Sequence, residues 1–289
     1  MPILVNPAAG RGRSLRAALA AAGRLRERGI ASEIRKAAAP GEIEWQTREL
    51  AASGAKRVLV CGGDGTMHEA VNGLAGTSTV LGVVPAGRGN DFAAAIGVRG
   101  GPAEAVDTVL DGRVRPVDLG LVNGRRFGTV LALGLDADVA LRTRSGVWRH
   151  AGKPGYVTCA VLRLLTYRAP LLALTGDFGR REGPYLICAV SNTGTYGGGV
   201  PIAPGSSVDD GQLDVCLVRD VPLRRAFQLI PRILAGRHSD APEVELLRTT
   251  SLEISSPESV PAVADGEPAG RTPVRIVVEP GALRAMGPA

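Results

Sequence analysis

The sequence predicts an α/β protein: an N-terminal parallel-sheet domain followed by a C-terminal, mostly antiparallel β-sandwich domain. Three observations predict it. Up to about Arg115, short β-branched runs alternate with helical stretches, the pattern of a parallel sheet covered by helices. Three of those runs end in glycine-rich turns. After Val117, short strands of period two take over, separated by turn residues, as in an antiparallel β domain. At 289 residues the chain has room for two domains.

In the first domain, strands are expected at Ile3–Val5, Ile30–Arg35, Arg57–Cys61 and Val80–Val84. Helices are expected at Ser14–Arg28, with Ser14 as N-cap and Gly29 as stop, at Glu42–Ala52 and at Thr66–Leu74. In the second, strands are expected at Arg126–Ala132, Tyr185–Ser191, Gln212–Val218, Ser251–Ser255 and Arg275–Glu279, with helices at Pro154–Thr166 and Leu223–Leu234. The boundary falls near Arg115–Asp118, which assigns residues 1–116 to the first domain and 117–279 to the second. No internal repeat is present.

Composition narrows the function. Hydrophobic residues at 45% support ordinary cores, and aromatics at 3% argue against base-stacking readers of nucleic acid. The net charge of +6 is carried almost wholly by arginine, with lysine only at Lys36, Lys56 and Lys153. It reads either as a solvated basic surface or as attraction for anionic lipid or nucleotide. Cys61, Cys159, Cys188 and Cys216 are scattered through apolar runs with no CxxC pair. Buried free thiols in a reducing cytoplasm are expected. The opening MPILVNPAAG is too short an apolar run for a signal peptide. Arg163, Arg168 and Pro170 interrupt the longest apolar stretch, 157–175, so membrane contact is expected to be peripheral.

The glycine turns carry the chemistry. They are Asn6-Pro7-Ala8-Ala9-Gly10-Arg11-Gly12-Arg13-Ser14, Gly62-Gly63-Asp64-Gly65-Thr66, and Pro85-Ala86-Gly87-Arg88-Gly89-Asn90-Asp91-Phe92. All follow predicted parallel strands, at the sheet end where such folds bind ligands. Backbone N–H groups there can approach phosphate oxygens, and a helix N-terminus adds a positive dipole end. One such turn is weak evidence; three on one edge point to a nucleotide. None fits GxxxxGK[ST] or a dinucleotide fingerprint. A carboxylate at Asp64 would repel phosphates unless it helps bind Mg²⁺ or fixes the loop; it also suits a plain tight turn. Arg11, Arg13 and Arg88 read as phosphate-neutralising groups or as ordinary exposed arginines.

On these residues the chain resembles the diacylglycerol kinase catalytic family, which includes sphingosine and ceramide kinases and bacterial lipid kinases. NPAAGRGRS resembles the first nucleotide loop, VCGGDGTMHEAVNGLAG (60–76) the GGDGT signature, VVPAGRGNDFAAAIGV (83–98) the third loop, and ADGEP (264–268) the late acidic motif. The match spans nearly the whole chain in order. It implies a two-domain lipid kinase that uses ATP and Mg²⁺, with ATP in the cleft and the tail, 280–289, returning to the first domain. Asn6, Gly10, Arg11, Gly62, Gly63, Asp64, Gly65, Thr66, Glu69, Gly87, Arg88 and Asn90 would serve the nucleotide. Asp265 and Glu267 would lie across the cleft, one of them the base for the acceptor hydroxyl. Asp265-Gly266 by itself reads as a hairpin turn. Ser207-Val208-Asp209-Asp210-Gly211-Gln212 resembles a structural Mg²⁺ site of some bacterial members, with Asp210 and the carbonyls of Ser207 and Gln212 as ligands; the other reading is a solvated Asp-Gly turn. Arg88, where the family often has Thr, and Arg35-Lys36-Ala37, which lacks the common Thr, leave two nucleotide contacts unassigned.

The acceptor implied is a membrane lipid, foremost diacylglycerol, giving phosphatidic acid. An NAD kinase shares GGDGT, although Asn90-Asp91-Phe92-Ala93 favours lipid kinases; an inactive nucleotide- or lipid-binding module is the rival from another class. Between Asp138 and Asp177 there is no acidic residue, while Arg142, Arg144, Arg149, Lys153, Arg163 and Arg168 accompany Val147, Trp148, Tyr156 and Tyr167. This stretch is expected to dock on anionic lipid at the inner face of the membrane. The other reading makes its aromatic residues core or homodimer contacts.

Overall fold

The computed structural model describes residues 1–144 and 152–289. Strands β1 (Pro2–Val5), β2 (Glu33–Lys36), β3 (Arg57–Gly62) and β4 (Val80–Pro85) pair in parallel in the order β2-β1-β3-β4. Ile3–Val5 and Val58–Cys61 are wholly buried, as expected of parallel strands covered on both faces. The cover is α1 (Arg13–Glu27), α2 (Glu42–Ala52), α3 (Asp64–Leu74), the short α4 (Asp91–Ala95) and α5 (Pro102–Asp111). Helix α1 packs on α5, and α2 on α3. The second pair is close because Gly73 has no side chain: a Cβ there would run into Thr47 Oγ1.

The second half begins with β5 (Arg113–Val122), β6 (Arg125–Phe127), β7 (Val130–Gly134), α6 (Leu135–Thr143) and α7 (Gly152–Leu164). Then come β8 (Leu171–Gly176), β9 (Gly179–Ser191), β10 (Leu213–Arg219) and α8 (Leu223–Leu234). It closes with β11 (Val244–Thr249), β12 (Ser251–Ser255), β13 (Pro261–Ala264), β14 (Glu267–Arg271) and β15 (Val274–Gly287). One antiparallel layer runs β6-β5-β15-β12-β8-β9 and the other β14-β13-β7-β9-β10-β11. The long β9 serves both. Phe127, Leu131, Leu174, Val190, Val215 and Ile254 pack between the layers, the interdigitated core of a sandwich. Behind the second layer, Ala189, Cys216 and Val218 are covered by Leu229 and Ile233 of α8.

Strand β15 joins the two halves. Its register with β5 breaks between Glu279 and Leu283, and beyond the break Arg284 and Ala285 pair in parallel with Val80 and Leu81 of β4. Asp118 holds the break, accepting from Gly281 N at 2.7 Å and from Gly211 N at 2.6 Å.

Several elements differ from the sequence expectation. Ser14 lies inside α1, donating to Ala9 O at 2.8 Å, and Gly12 at φ 83° is the N-cap. Strand β2 starts at Glu33 because Ile30 N is still tied to Leu25 O at 2.8 Å at the end of α1. The strand expected at Arg126–Ala132 is two, β6 and β7, broken where the amides of Gly128 and Thr129 turn toward Asp265. The apolar stretch 157–175 divides between α7 and β8. Among the described residues no helix is long and apolar enough to cross a membrane.

Candidate active site

A cavity of about 510 Å³ opens between the parallel sheet and the β-sandwich. Asn6, Gly10, Gly63, Asp64, Gly65, Thr66 and Glu69 line it from one side, and Ala264 and Glu267 from the other. These are motif residues from three separate stretches of sequence; the first two meet because β1 and β3 are neighbours and their turns leave the sheet at the same end. The backbone builds most of this surface. Helix α3 starts at Asp64, so the N–H groups of its first turn have no intrahelical acceptor and are available to an anion. Asn6 Oδ1 ties its own loop by accepting from Ala8 N at 3.0 Å.

The second and third loops touch through glycine. A Cβ on Gly63 would lie 2.9 Å from Gly87 Cα, so neither loop tolerates a side chain there. Asn90 shapes the third loop, its Oδ1 accepting from Gly87 N at 2.8 Å. Gly62 and Gly87 therefore support the wall without facing the cavity, and Arg88 is exposed. The side chain of Arg11 lies outside the described residues.

Asp64 is fastened rather than free. Its Oδ2 accepts from Asn90 N and its Oδ1 from Asp91 N, both at 2.9 Å. Burial, and then the nearby Asp91 carboxylate, raise the Asp64 carboxyl above its ordinary range despite those two bonds. Asp91, 4% exposed, in turn grips the loop after β9, accepting from Gly198 N at 2.7 Å, Gly199 N at 2.8 Å and Thr195 Oγ1 at 3.0 Å.

The late acidic motif divides its labour. Asp265 and Gly266 have φ of 51° and 84°, the geometry of a two-residue Asp-Gly hairpin turn between β13 and β14. The Asp265 side chain is 4% exposed. It accepts from Gly128 N and Thr129 N at 2.9 Å, Val130 N at 3.2 Å, Thr129 Oγ1 at 2.5 Å and His68 Nδ1 at 3.0 Å. Burial alone would raise its carboxyl, but His68, Thr129 and the Gly128 amide outweigh burial and hold it below the ordinary range. Arg125 only donates, so His68 Nε2, 3.4 Å from Arg125 Nη2, accepts and Nδ1–H points at Asp265. Glu267 faces the cavity, 42% exposed, paired with Arg144 at 2.6 Å.

Other motif residues hold the frame. Glu69 Oε2 accepts from Ile43 N at 3.1 Å, capping α2. Asn72 donates to Arg126 O and accepts from Arg126 N, both at 2.9 Å, which fastens β6 to α3. The sequence did not place His68, Arg125, Arg144 or Asp91 at the nucleotide cavity; His68 and Asp91 stand inside the quoted motifs, Arg144 belongs to the stretch expected at the membrane, and nothing local marks Arg125.

Two of the expected sites carry ion pairs in the structure. Asp210 Oδ2 is paired with Arg248, and its Oδ1 accepts from Gln212 N at 3.1 Å; Asp209 pairs with Arg115 at 2.8 Å and Ser207 Oγ at 2.6 Å. Guanidinium groups pair with both carboxylates. The Asp210 carboxylate thus closes the Ser207–Gln212 turn and ties it to β11. In the basic stretch, Arg142 and Arg163 are bound by Asp138 at 2.8 and 2.6 Å, and Arg144 by Glu267. Tyr167 lies under Arg163 at 5.0 Å. These groups serve the fold and the cavity. Val147, Trp148, Arg149 and the side chain of Lys153 lie outside the described residues.

Against known proteins, residues 1–122 match the family model described as the diacylglycerol kinase catalytic domain, and residues 129–287 that of the YegS C-terminal NAD kinase beta sandwich-like domain. The chain is 34% identical over 297 aligned positions to a diacylglycerol kinase of Mycobacterium tuberculosis, covering 99% of this chain and 94% of that one. It is 27% identical to a diacylglycerol kinase of Bacillus subtilis, covering 95% and 92%. A crystal structure of a diacylglycerol kinase from Bacillus anthracis superimposes with a TM-score of 0.76 at 23% identity, over 99% and 96% of the two chains; at that identity the likeness speaks for the fold.

Proposed function

Because this chain belongs to the diacylglycerol kinase family of lipid phosphotransferases, we propose that it transfers the γ-phosphoryl group of ATP to the free hydroxyl of diacylglycerol, giving phosphatidic acid. The observation that carries this is the adjacency of two unlike cavities. Beside the polar one, a second cavity of about 410 Å³ lies among α6, α7, α8 and the sheet, walled by residues such as Val139, Leu164, Leu186, Ala226 and Ile230. Gly197–Gly199 form one edge of it. A Cβ on Gly89 would collide with Asp64 Oδ2 on one side and sit 3.3 Å from Gly198 Cα on the other. One glycine thus separates the apolar cavity from the GGDGT carboxylate. An acyl chain suits the first surface and a triphosphate the second.

In this reading the amides at the start of α3 and the Gly10 loop hold phosphates, and Asn6, Thr66 and Glu69 shape the pocket. Asp64 offers hard oxygens, each with one lone-pair direction spent on an amide, which suits Mg²⁺ held mainly by substrate phosphates with one protein carboxylate. Bound there, Mg²⁺ would neutralise charge on the transferring group. Glu267, facing the cavity, takes the hydroxyl proton. Asp265, saturated with donors, orients the turn that presents Glu267 and serves as no base. Arg144 steadies Glu267. We place the nucleotide domain at 1–116 with 280–289 and the lipid domain at 117–279.

The bilayer-facing surface is assigned to α7 and α8, which flank the apolar cavity. Val157, Leu162, Leu165, Leu223, Phe227 and Leu234 are exposed there, and Arg168 and Arg224 are exposed beside them, a combination suited to anionic lipid. The protein would work in the cytoplasm at the inner membrane face. The test is transfer of γ-labelled phosphate from ATP to dioleoylglycerol in mixed micelles, with NAD⁺ as a rival acceptor. Label in phosphatidic acid, lost in Asp64→Asn with the fold retained by circular dichroism, supports the reading. Label on NAD⁺ alone, or on no acceptor, overturns it.

A further inference from the structure

The apolar cavity has one acidic group among its described lining residues. Asp136, at the start of α6, is 7% exposed and lines the cavity. Its Oδ1 accepts from Ala137 N at 3.0 Å. Its Oδ2 is met by the hydroxyl of Tyr196 at 3.4 Å, beyond the usual reach of an O–H···O bond. Among the described residues lining the cavity there is no Lys, Arg or His. A buried carboxyl without a counter-cation is costly, and such groups are normally paired or removed. Here it stands with a weakly engaged oxygen in the wall of a space sized for a ligand.

Its helix links the two cavities. Helix α6 begins at the apolar cavity and ends beside Arg144, which pairs with Glu267 at the nucleotide cavity. Nine helical residues span about 13 Å. Asp136 and Gly198 both line the apolar cavity, and Gly198 approaches Gly89 beside Asp64, so the wall that carries Asp136 also reaches the nucleotide side.

We propose that Asp136, with Tyr196, is the group that holds the polar head of the acceptor lipid, and that it selects a neutral acylglycerol, donating its carboxyl proton to an ester carbonyl. This rests on the lipid-kinase reading and deepens it. The protonated acid offers an O–H donor that suits a carbonyl acceptor. An ammonium head would need the ionised form, and bringing both charges into this wall carries a desolvation cost on each. Burial pushes the Asp136 carboxyl up to about 7, so the donor form is populated near neutral pH. Among the described residues the titratable groups around it are Tyr156, Tyr167, Tyr196, Cys188 and Cys216, and burial pushes every one of them up. They stay neutral where Asp136 titrates.

The test compares full-length wild type, Asp136→Asn and Asp136→Ala in mixed micelles with dioleoylglycerol or a sphingoid base, from pH 6 to 8.5. Binding of dioctanoylglycerol without nucleotide is followed separately by thermal shift. In wild type, kcat/KM for diacylglycerol should fall as pH rises through about 7, because the donor proton is lost. Asp136→Asn, a neutral donor at every pH, should lack that limb and stay within ~3-fold of wild type at pH 6. Asp136→Ala should lose ~10–100-fold in kcat/KM for lipid with KM for ATP unchanged. The inference is overturned if Asp136→Asn keeps the wild-type pH limb, if Asp136→Ala handles lipid normally, or if wild type prefers the sphingoid base and Asp136→Asn loses it. Asp136-dependent binding of dioctanoylglycerol without phosphate transfer to any lipid would instead sink the kinase reading and leave the head-group assignment standing. Should Asp136→Ala not fold, the pH profile of Asp136→Asn decides.

Discussion

Replacing Asp265 separates a structural carboxylate from a chemical one. Asp265→Ala removes the acceptor for three backbone amides, the Thr129 hydroxyl and the His68 ring N–H, all held within 3.2 Å. Each donor left buried and unpaired costs ~1–3 kcal/mol, but water can enter beside the turn and the terms do not add. A total of ~3–5 kcal/mol is the expectation, within the range for breaking a buried charged network. Urea denaturation followed by circular dichroism reads it as a fall in the midpoint at unchanged slope. The pH dependence gives a second reading. Because the folded-state carboxyl is held below its ordinary 3.8, its stabilisation is present above the unfolded value and is lost as pH falls through the lower folded value. Wild type should therefore lose this increment below about pH 4, and Asp265→Asn should show a shallower loss over the same range. Turnover at saturating ATP should fall only in proportion to the folded fraction and to misplacement of Glu267. A stable Asp265→Ala protein, within ~1 kcal/mol of wild type and devoid of turnover, would refute the structural assignment and return Asp265 to the chemistry.

The other predictions concern the remaining groups. Glu267→Gln should leave the melting temperature unchanged and lower kcat ~10²–10⁴-fold, the range for losing a general base; steady-state assays with ATP and lipid check it, and a normal rate would move the base elsewhere. Gly87→Ala would drive its new Cβ into the Gly63 backbone, so ATP affinity by titration calorimetry should drop while the β-sandwich keeps its fold. With Arg248 on Asp210, Mg²⁺ without ATP should shift the melting temperature by no more than about 1 °C; a larger shift that Asp210→Ala abolishes would restore an ion to that turn. Phe227→Asp combined with Leu223→Asp, two exposed positions outside the cavity lining, should weaken sedimentation with anionic vesicles and spare phosphorylation of dioctanoylglycerol, whereas equal losses on both substrates would place these residues in the fold.

The separation between what was legible in sequence and what was not follows the range of the forces involved. The alternation of β1 to β4 with their helices, the three glycine turns and the Asp265-Gly266 hairpin are set by local periodicity and by backbone angles that glycine and Asp-Gly tolerate, so the residues announce them. Helix α8 was readable at Leu223–Leu234 from its own apolar spacing. By contrast, Arg126–Ala132 has an unbroken strand pattern and is cut in two only because Asp265, more than a hundred positions away, draws its amides out of line. Arg144 reads as surface charge until Glu267 is placed beside it, and nothing near Asp210 in sequence announces its pairing with Arg248 of β11. Asp136 has no motif of its own; its chemistry comes from burial in a cavity formed by α6, α7 and α8. Sequence determined which segments are strands, helices and glycine turns, because those depend on neighbours in the chain. Partners, burial and the wall shared by the two cavities were decided by tertiary structure, because the energy of a charge depends on what surrounds it in space.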